Sequence, residues 1–260
     1  MSLRLYHSGT SVCAIKVWIT LEEKALAWES ELLNLQRGDQ HRPEYLKLNP
    51  NAVVPTLMDD ERVLIESTLI IEYLNEAFAQ PALMPDDPFR RAVARLWMKK
   101  IDDYLHAACS AVTFAAAFRS HFLKLTKEEL EARLARIPNP DYRERQRLSI
   151  LHGLEAPYVA QALRQHERYF SEMEAALEHS DYLAGPGYSL ADAAATPYVN
   201  RAGMLGMESL WARRPKLSVW LERVRERPSF ERAITRWFGD AERARFTVDR
   251  SEVSKQLQKL

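Results

Sequence analysis

The chain has two cysteines in 260 residues, Cys13 and Cys109, and no C-x-x-C. Two cysteines cannot build a disulfide framework, so a reducing, cytoplasmic setting fits best. Neither charge is in excess: 36 Lys and Arg offset 36 Asp and Glu. That balance argues against a general nucleic-acid binder, which carries a basic excess. No apolar run reaches the roughly 18 residues of a membrane span. The opening MSLRLYHSGT has no apolar core after its charge, so no signal peptide is expected. No G-x-G-x-x-G and no G-x-x-x-x-G-K-[ST] occurs, which weakens a nucleotide reading. The seven histidines form no H-E-x-x-H and no tight cluster, so no metal is expected. What the chain does have is 47% hydrophobic and 10% aromatic residues, enough for a proper core.

Two short stretches carry most of the functional information: NPNAVVPTL at Asn49–Leu57 and IESTLIIEYL at Ile65–Leu74. Pro55 cannot donate to a sheet ladder, so it belongs at a strand start or bend. A cis bond there would turn the amide and carbonyl of Val54 outward, free to pair with an extended peptide. Eleven residues on, Glu66 and Ser67 open an amphipathic helix carrying Leu69, Ile70, Tyr73 and Leu74. Free N–H groups and a hydroxyl at a helix start suit a carboxylate, and Glu66 suits an ammonium. An extended ligand with both charges at one end is a γ-glutamyl peptide.

On these residues the chain resembles the glutathione transferases. The resemblance covers nearly the whole chain and implies an α/β thioredoxin-like domain followed by an all-α helical bundle. Glutathione would be the co-substrate, and the assembly a homodimer. The pattern of the residues agrees. Leu3–His7 reads as a strand, Ser11–Ala25 as a helix and Trp28–Leu33 as a strand. Gln36–Arg42 reads as a polar loop and Pro43–Leu48 as a short helix. Thr56–Met58 and Arg62–Ile65 read as a hairpin, and Ser67–Phe78 as a helix. This βαβαββα order spans residues 1–79. Residues 80–88, with Pro81, Pro85 and Pro88, form the expected linker. Residues 89–260 read as helical, beginning with a long stretch over Phe89–Phe122. Ile137-Pro138-Asn139-Pro140 breaks one polar helix and opens another. Ser189-Leu190-Ala191-Asp192 reads as a capping box before an apolar helix. The charged tail, Asp240–Leu260, is expected to be loosely held.

A glutathione thiol must be ionised to attack, so a donor is needed near the end of the first strand. The run from His7 to Cys13 passes from strand to helix start, where N–H groups converge and the dipole favours an anion. Ser11 stands six residues before Val17, and the resemblance makes it the serine-type donor. Thr10 is a rival one residue earlier. Cys13 is a second rival: in a first helical turn its thiol would acidify and could form a mixed disulfide with glutathione. Ser11 could equally serve as a plain N-cap, and Cys13 and Cys109 as small packing residues. By the same resemblance, Gln40 and His41 would reach the glycine carboxylate of glutathione. Val54 and Pro55 would hold its backbone, and Glu66 and Ser67 its γ-glutamyl end. The second-substrate pocket would be lined by Tyr104, Ala108, Val112, Phe114 and Phe118, taken as a group.

The stretch from Lys124 to about Gln165 is longer and more charged than a minimal transferase needs. It contains IPNPDYRERQRL and resembles an insertion in the bacterial glutathione-dependent β-etherases, as does Asp86-Asp87-Pro88-Phe89. In those enzymes a glutathione thiolate displaces a phenolate at a carbon beside a ketone. Two other classes stand beside a transferase: a thiol-disulfide oxidoreductase using Cys13, and a non-catalytic relative of the fold.

Overall fold

A computed structural model describes residues 2–237, 239–240, 246 and 248–260. Its first part is a four-stranded sheet in the order β2-β1-β3-β4. Strand β1 (Leu3–His7) pairs in parallel with β2 (Glu29–Leu32) and antiparallel with β3 (Thr56–Asp59). β3 turns back into β4 (Arg62–Ile65). Parallel strands need a crossover, which helix α1 (Val12–Glu23) supplies between β1 and β2. Helix α2 (Pro43–Leu48) precedes β3, and α3 (Ser67–Ala77) follows β4. The observed order is the expected βαβαββα. In β1, Leu3, Leu5 and His7 point inward while Arg4 and Tyr6 are half-buried, the period-two alternation of a sheet with one covered face.

Among the described residues, every later element is helical apart from one isolated bridge, Tyr182–Gly185. Helix α4 (Pro88–Lys100) runs through a π-helical turn (Ile101–Leu105) into α5 (His106–Thr113). A second π-helical turn (Phe114–Phe118) leads to α6 (Arg119–Phe122). The long helix expected over Phe89–Phe122 is therefore interrupted twice. Each π turn holds an extra residue and rotates the side chains after it. Next come α7 (Lys127–Ala135), α8 (Pro140–His152), α9 (Val159–Leu177), α10 (Leu190–Met204) and α11 (Pro215–Arg225). After α11 the chain makes a helical turn at Pro228–Phe230 and continues as a π-helical turn, Glu231–Thr235. Phe238 lies outside the described residues.

The tail departs from expectation. Residues 241–245 and 247 lie outside the described set, but Arg250–Leu257 is a helix. Val253 is fully buried, and Arg250 pairs with Glu208 at 2.6 Å. Earlier in the same region Trp237 returns to the first domain. There it joins Trp18 and Trp28 around the buried ring of His7.

Helix α1 also differs from a surface helix with one apolar face. It is buried without a break from Ala14 to Leu21, including Lys16 and Thr20, because α3 covers one side and α10 another. Helix α10 is the hub of the second domain, buried from Leu190 to Val199. Its start is fixed by Asp192, which accepts from the backbone N–H of Ser189 (3.0 Å) and of Leu183 (3.0 Å), from Ser189 Oγ (3.0 Å) and from Trp220 Nε1 (2.8 Å). Replacing it leaves buried donors unpaired. Asp192→Ala is expected to lower the unfolding free energy by roughly 3 kcal/mol, and Asp192→Asn by less. Urea denaturation followed by circular dichroism checks this; a loss under about 1 kcal/mol would show that the capping network contributes little.

Candidate active site

The site grows from the turn between β1 and α1. The Ser11 N–H donates to Ser8 C=O at 3.0 Å, closing the turn. Ser11 is the N-cap of α1, and its hydroxyl oxygen accepts from Ala14 N–H at 3.2 Å. A hydroxyl that accepts in a cap still has its own proton to donate. Capping and donation to a thiolate are therefore compatible at Ser11. The Thr10 carbonyl accepts from Arg201 Nη2 at 2.7 Å, so a buried guanidinium from α10 holds this turn from below. A cavity of about 170 Å3 lies against the turn, between Ser8, Gly9 and Thr10 on one side and Leu33, Leu35 and Gln36 on the other.

The Val54-Pro55 bond is cis, and so is Gln80-Pro81. The loop leading to Pro55 is braced from inside. Asn49 Nδ2 donates to Val53 C=O at 2.9 Å and to Thr56 Oγ1 at 3.2 Å, while its Oδ1 accepts from Asn51 N–H at 3.1 Å. The Tyr45 hydroxyl also bonds Val53 C=O and lies 2.9 Å from Thr56 Oγ1. Val53 is thus held, and Val54 makes no backbone hydrogen bond among the described residues. Asn49 and Tyr45 are supporting residues that the sequence reading did not single out. The asparagine spacing in N-P-N is their visible signal.

At the start of α3, Glu66 adopts φ +72°, a conformation uncommon for any residue but glycine. Its side chain does not cap the helix. Ser67 is buried, and its hydroxyl takes no partner among the described residues. The next residue, Thr68, is tied to the second domain. Lys16 Nζ, fully buried, donates to Thr68 Oγ1 at 2.9 Å, and Thr68 donates to Asp102 at 3.0 Å.

Gln40 and His41 sit in a helical turn, Asp39–His41, within the expected loop. Gln40 is buried, its Nε2 3.3 Å from His41 Nε2 and its Oε1 unpartnered. Burial, then the nearby charges of Arg133 and Arg136, push the His41 imidazole below its ordinary value.

Two π turns explain where the pocket group lands. Ala108 and Val112 are buried in the core of the second domain, at 2% and 0% exposure, and do not face the cleft. Tyr104 turns toward α9, edge-on to Tyr169 and under Arg168. Phe114 and Phe118 remain half-buried and pack edge-to-face. The half-buried residue of α5 that meets the start of α1 is His106. A stripe drawn at 3.6 residues per turn through a π turn points to the wrong side, which is why His106 was missed.

Cys13 meets this histidine. Its Sγ lies 3.4 Å from His106 Nδ1 and 3.7 Å from the Tyr198 hydroxyl, and His106 Nδ1 lies 3.2 Å from that hydroxyl. Burial alone would raise the Cys13 thiol. The His106 imidazole overrides burial, with help from Lys16 and Tyr198, and brings the thiol down to about 6. The Cys13 charge in turn raises His106 against its own burial. At neutral pH Cys13 thus favours its thiolate, and that charge favours the protonated form of His106. Cys109 is different: burial pushes its thiol up to about 11.

A lowered thiol is reactive above its pKa, so alkylation of Cys13 by iodoacetamide should rise as pH passes about 6 and level off by neutrality. His106→Ala should move that midpoint up, toward or beyond the ordinary thiol value near ~8.5. Peptide mass spectrometry across a pH series reads both. A midpoint unmoved by the substitution would break the assigned pair.

The comparisons agree with this geometry. The family model for the glutathione S-transferase N-terminal domain matches residues 5–82, and that for the C-terminal domain matches residues 116–228. Protein LigF of Sphingobium sp. (strain NBRC 103272 / SYK-6) is 32% identical over 238 residues, 89% of this chain and 92% of LigF. The solved structure of beta-etherase LigF superposes with a TM-score of 0.81 at 31% identity, covering 92% of this chain and 99% of the other. Tetrachloro-p-hydroquinone reductive dehalogenase of Sphingobium chlorophenolicum is 27% identical over 90% of this chain and 97% of its own. With both halves matched in order and the sheet, the helical bundle and the β1–α1 turn all in place, the chain belongs to the glutathione S-transferase family.

Proposed function

We propose that this glutathione transferase binds glutathione along Val54, with the γ-glutamyl end at Glu66 and Ser67, and ionises its thiol with Ser11. One observation carries the reading. The Ser11 oxygen accepts from Ala14 N–H at the head of α1, which leaves its hydroxyl proton free to donate to a ligand there. Thr10 is the weaker donor candidate, because the structure uses its carbonyl as the anchor for Arg201. The acceptor is a small hydrophobic electrophile. The similarity to the beta-etherase LigF and the insertion after Phe122 support an aryl ether beside a ketone. There the thiolate attacks the carbon, the C–S bond forms, the C–O bond breaks, and the phenolate takes a proton from solvent.

A second reading has its own support. Cys13 at 3.4 Å from His106 has the geometry of an activated thiol. It favours exchange with glutathione disulfide, in which Cys13 forms the mixed disulfide and one glutathione thiolate leaves. A reducing cytoplasm would keep both free cysteines available.

Ser11→Ala is expected to lower kcat/KM for thiol addition about 10- to 100-fold, the loss of one charge-stabilising donor, with little change in glutathione affinity. Ser67→Ala should do the reverse and weaken glutathione about tenfold. Steady-state kinetics on an α-aryloxy ketone and calorimetric titration separate the two effects. Full activity in Ser11→Ala together with its loss in Cys13→Ser would transfer the reaction to the thiol.

We also propose a homodimer through the outer faces of α3 and α4. Leu69, Leu96 and Phe89 are exposed on these two helices at 59%, 54% and 75%, and Arg95 of α4 pairs with Glu72 of α3 at 3.0 Å, so the two helices lie side by side. Sedimentation should give twice the chain mass of 30.0 kDa. The Leu69→Glu, Leu96→Glu double variant should sediment as a monomer. A monomeric wild type would remove the proposal.

A further inference from the structure

Given Ser11 as the donor to the glutathione thiol, whatever holds Ser11 in place matters to the chemistry. One of its anchors comes from the other domain. Arg201 lies on α10 among Tyr198, Val199 and Ala202, all fully buried, and is itself only 3% exposed. The Phe246 ring covers its guanidinium at 4.6 Å and stands edge-on to Phe118. Nη2 donates to Thr10 C=O at 2.7 Å, while Nη1 reaches Thr113 Oγ1 only at 3.5 Å. Nε is buried with no partner among the described residues.

Taking a charge out of water is unfavourable, and an ion pair is the usual compensation. Arg201 has none: no carboxylate pairs with it among the described residues. Apolar side chains join a helix to a loop without that cost. A charge kept in spite of it points to the one group that it meets at short range, the Thr10 carbonyl. That carbonyl belongs to the peptide unit leading into Ser11. The N–H end of the same unit donates to Ser8 C=O at 3.0 Å. A peptide unit is planar, so bonds at its two opposite edges fix its plane and the Ser11 Cα with it. A donor on the carbonyl also polarises the N–H and strengthens the bond to Ser8. The third bond, from Ala14 N–H to Ser11 Oγ at 3.2 Å, sets the side chain. Three bonds therefore place the hydroxyl, and the shortest is supplied by the helical domain.

We propose that Arg201 is a positioning residue for thiol activation: through the Thr10 carbonyl it holds the Ser11 hydroxyl in the orientation that stabilises the glutathione thiolate. The helical domain thereby sets the acidity of a thiol bound by the first domain. A misplacement of about 1 Å at a reacting centre can lower a rate by up to about a hundredfold, so a remote anchor has this reach. A merely structural tie makes a different demand. Its loss lowers stability and leaves the acidity of the bound thiol as it was.

The test reads the thiol itself. Glutathione bound to the full chain is titrated against pH by its thiolate absorbance in the ultraviolet, and calorimetry gives its affinity. Arg201→Met should raise the thiol midpoint by about one pH unit and lower kcat on an α-aryloxy ketone about tenfold. Glutathione affinity should stay within about twofold of the wild type. Arg201→Lys keeps a cationic donor on a long stem and should recover most of both losses. Arg201→Gln is too short to reach the carbonyl; it should match Arg201→Met, and it replaces that variant if the methionine does not fold. The Ser11→Ala, Arg201→Met double variant should show the same midpoint as Ser11→Ala alone, because Arg201 acts through Ser11. An unchanged midpoint in Arg201→Met and Arg201→Gln, with Ser11→Ala raising it, overturns the positioning role and leaves the glutathione reading standing. A double variant with a midpoint above that of Ser11→Ala overturns it too, since Arg201 would then act on the thiol without Ser11. So does a loss of glutathione affinity in step with kcat, which marks a structural tie. If the wild type binds glutathione without lowering its thiol midpoint, activation by Ser11 falls and the role of Arg201 with it.

Discussion

Helix α1 is packed on both sides, and this governs the rest of the site. A helix between two layers has no solvent face, so each polar group on it needs a protein partner. Lys16 finds Thr68, with Asp102 at 3.6 Å. Lys24 donates to Pro81 C=O at 2.7 Å. Glu23 takes both arms of Arg227, at 2.7 and 2.6 Å, and the Ser229 hydroxyl as well. Cys13 takes His106 and Tyr198. Most of these partners lie beyond the linker. The seam between the domains is therefore fixed by directional bonds as well as by apolar burial. The proposed ligand site, at the N-terminal end of α1, inherits that rigidity.

Two buried cations, Arg201 and Lys16, stand near this end. Arg201 is buried, meets no carboxylate among the described residues, and holds the Thr10 carbonyl. Burial pushes its guanidinium below the ordinary value, a cost that the single short bond to Thr10 partly offsets. Lys16 lies one turn along the helix, and the positive end of the helix dipole faces the cavity. Buried positive groups around a helix start favour an anion there before any ligand arrives. This is the preorganisation that ionising a thiol requires.

How far the sequence reveals this follows the range of each interaction. The strand alternation, the proline before β3, the Ser11 cap and the Ser189–Asp192 box depend on neighbours within a few residues, and they read directly. The fold class follows from their order. The buried charges do not read that way. Lys16 and Lys24 look like the polar face of an amphipathic helix, and only the packing of α10 and the segment at Pro81 against α1 shows that they are inside. The π turns at Ile101–Leu105 and Phe114–Phe118 carry no composition signal, so the periodic stripe chosen for the pocket included Ala108 and Val112 and passed over His106. Arg201 reads as one charge in an apolar helix. Its bond to the Thr10 carbonyl is a tertiary fact.

The same constraint reconciles two anions at one helix start. A glutathione thiolate at Ser11 and a Cys13 thiolate would repel if both drew on the same N–H groups. They are two residues apart, and two residues of helix turn a side chain through about 200°. Cys13 faces His106 of α5, and Ser11 points elsewhere, its oxygen turned to Ala14 N–H. The Cys13 thiol has the His106 ring at 3.4 Å, and each favours the charged form of the other, so a thiolate there has a partner of opposite sign beside it. Repulsion from a matched pair falls off faster with distance than that from a bare thiolate. His106 thus lets a reactive thiol sit in the same helical turn as the serine proposed to activate glutathione, and it lessens the opposition of the Cys13 charge to an anion at that helix start.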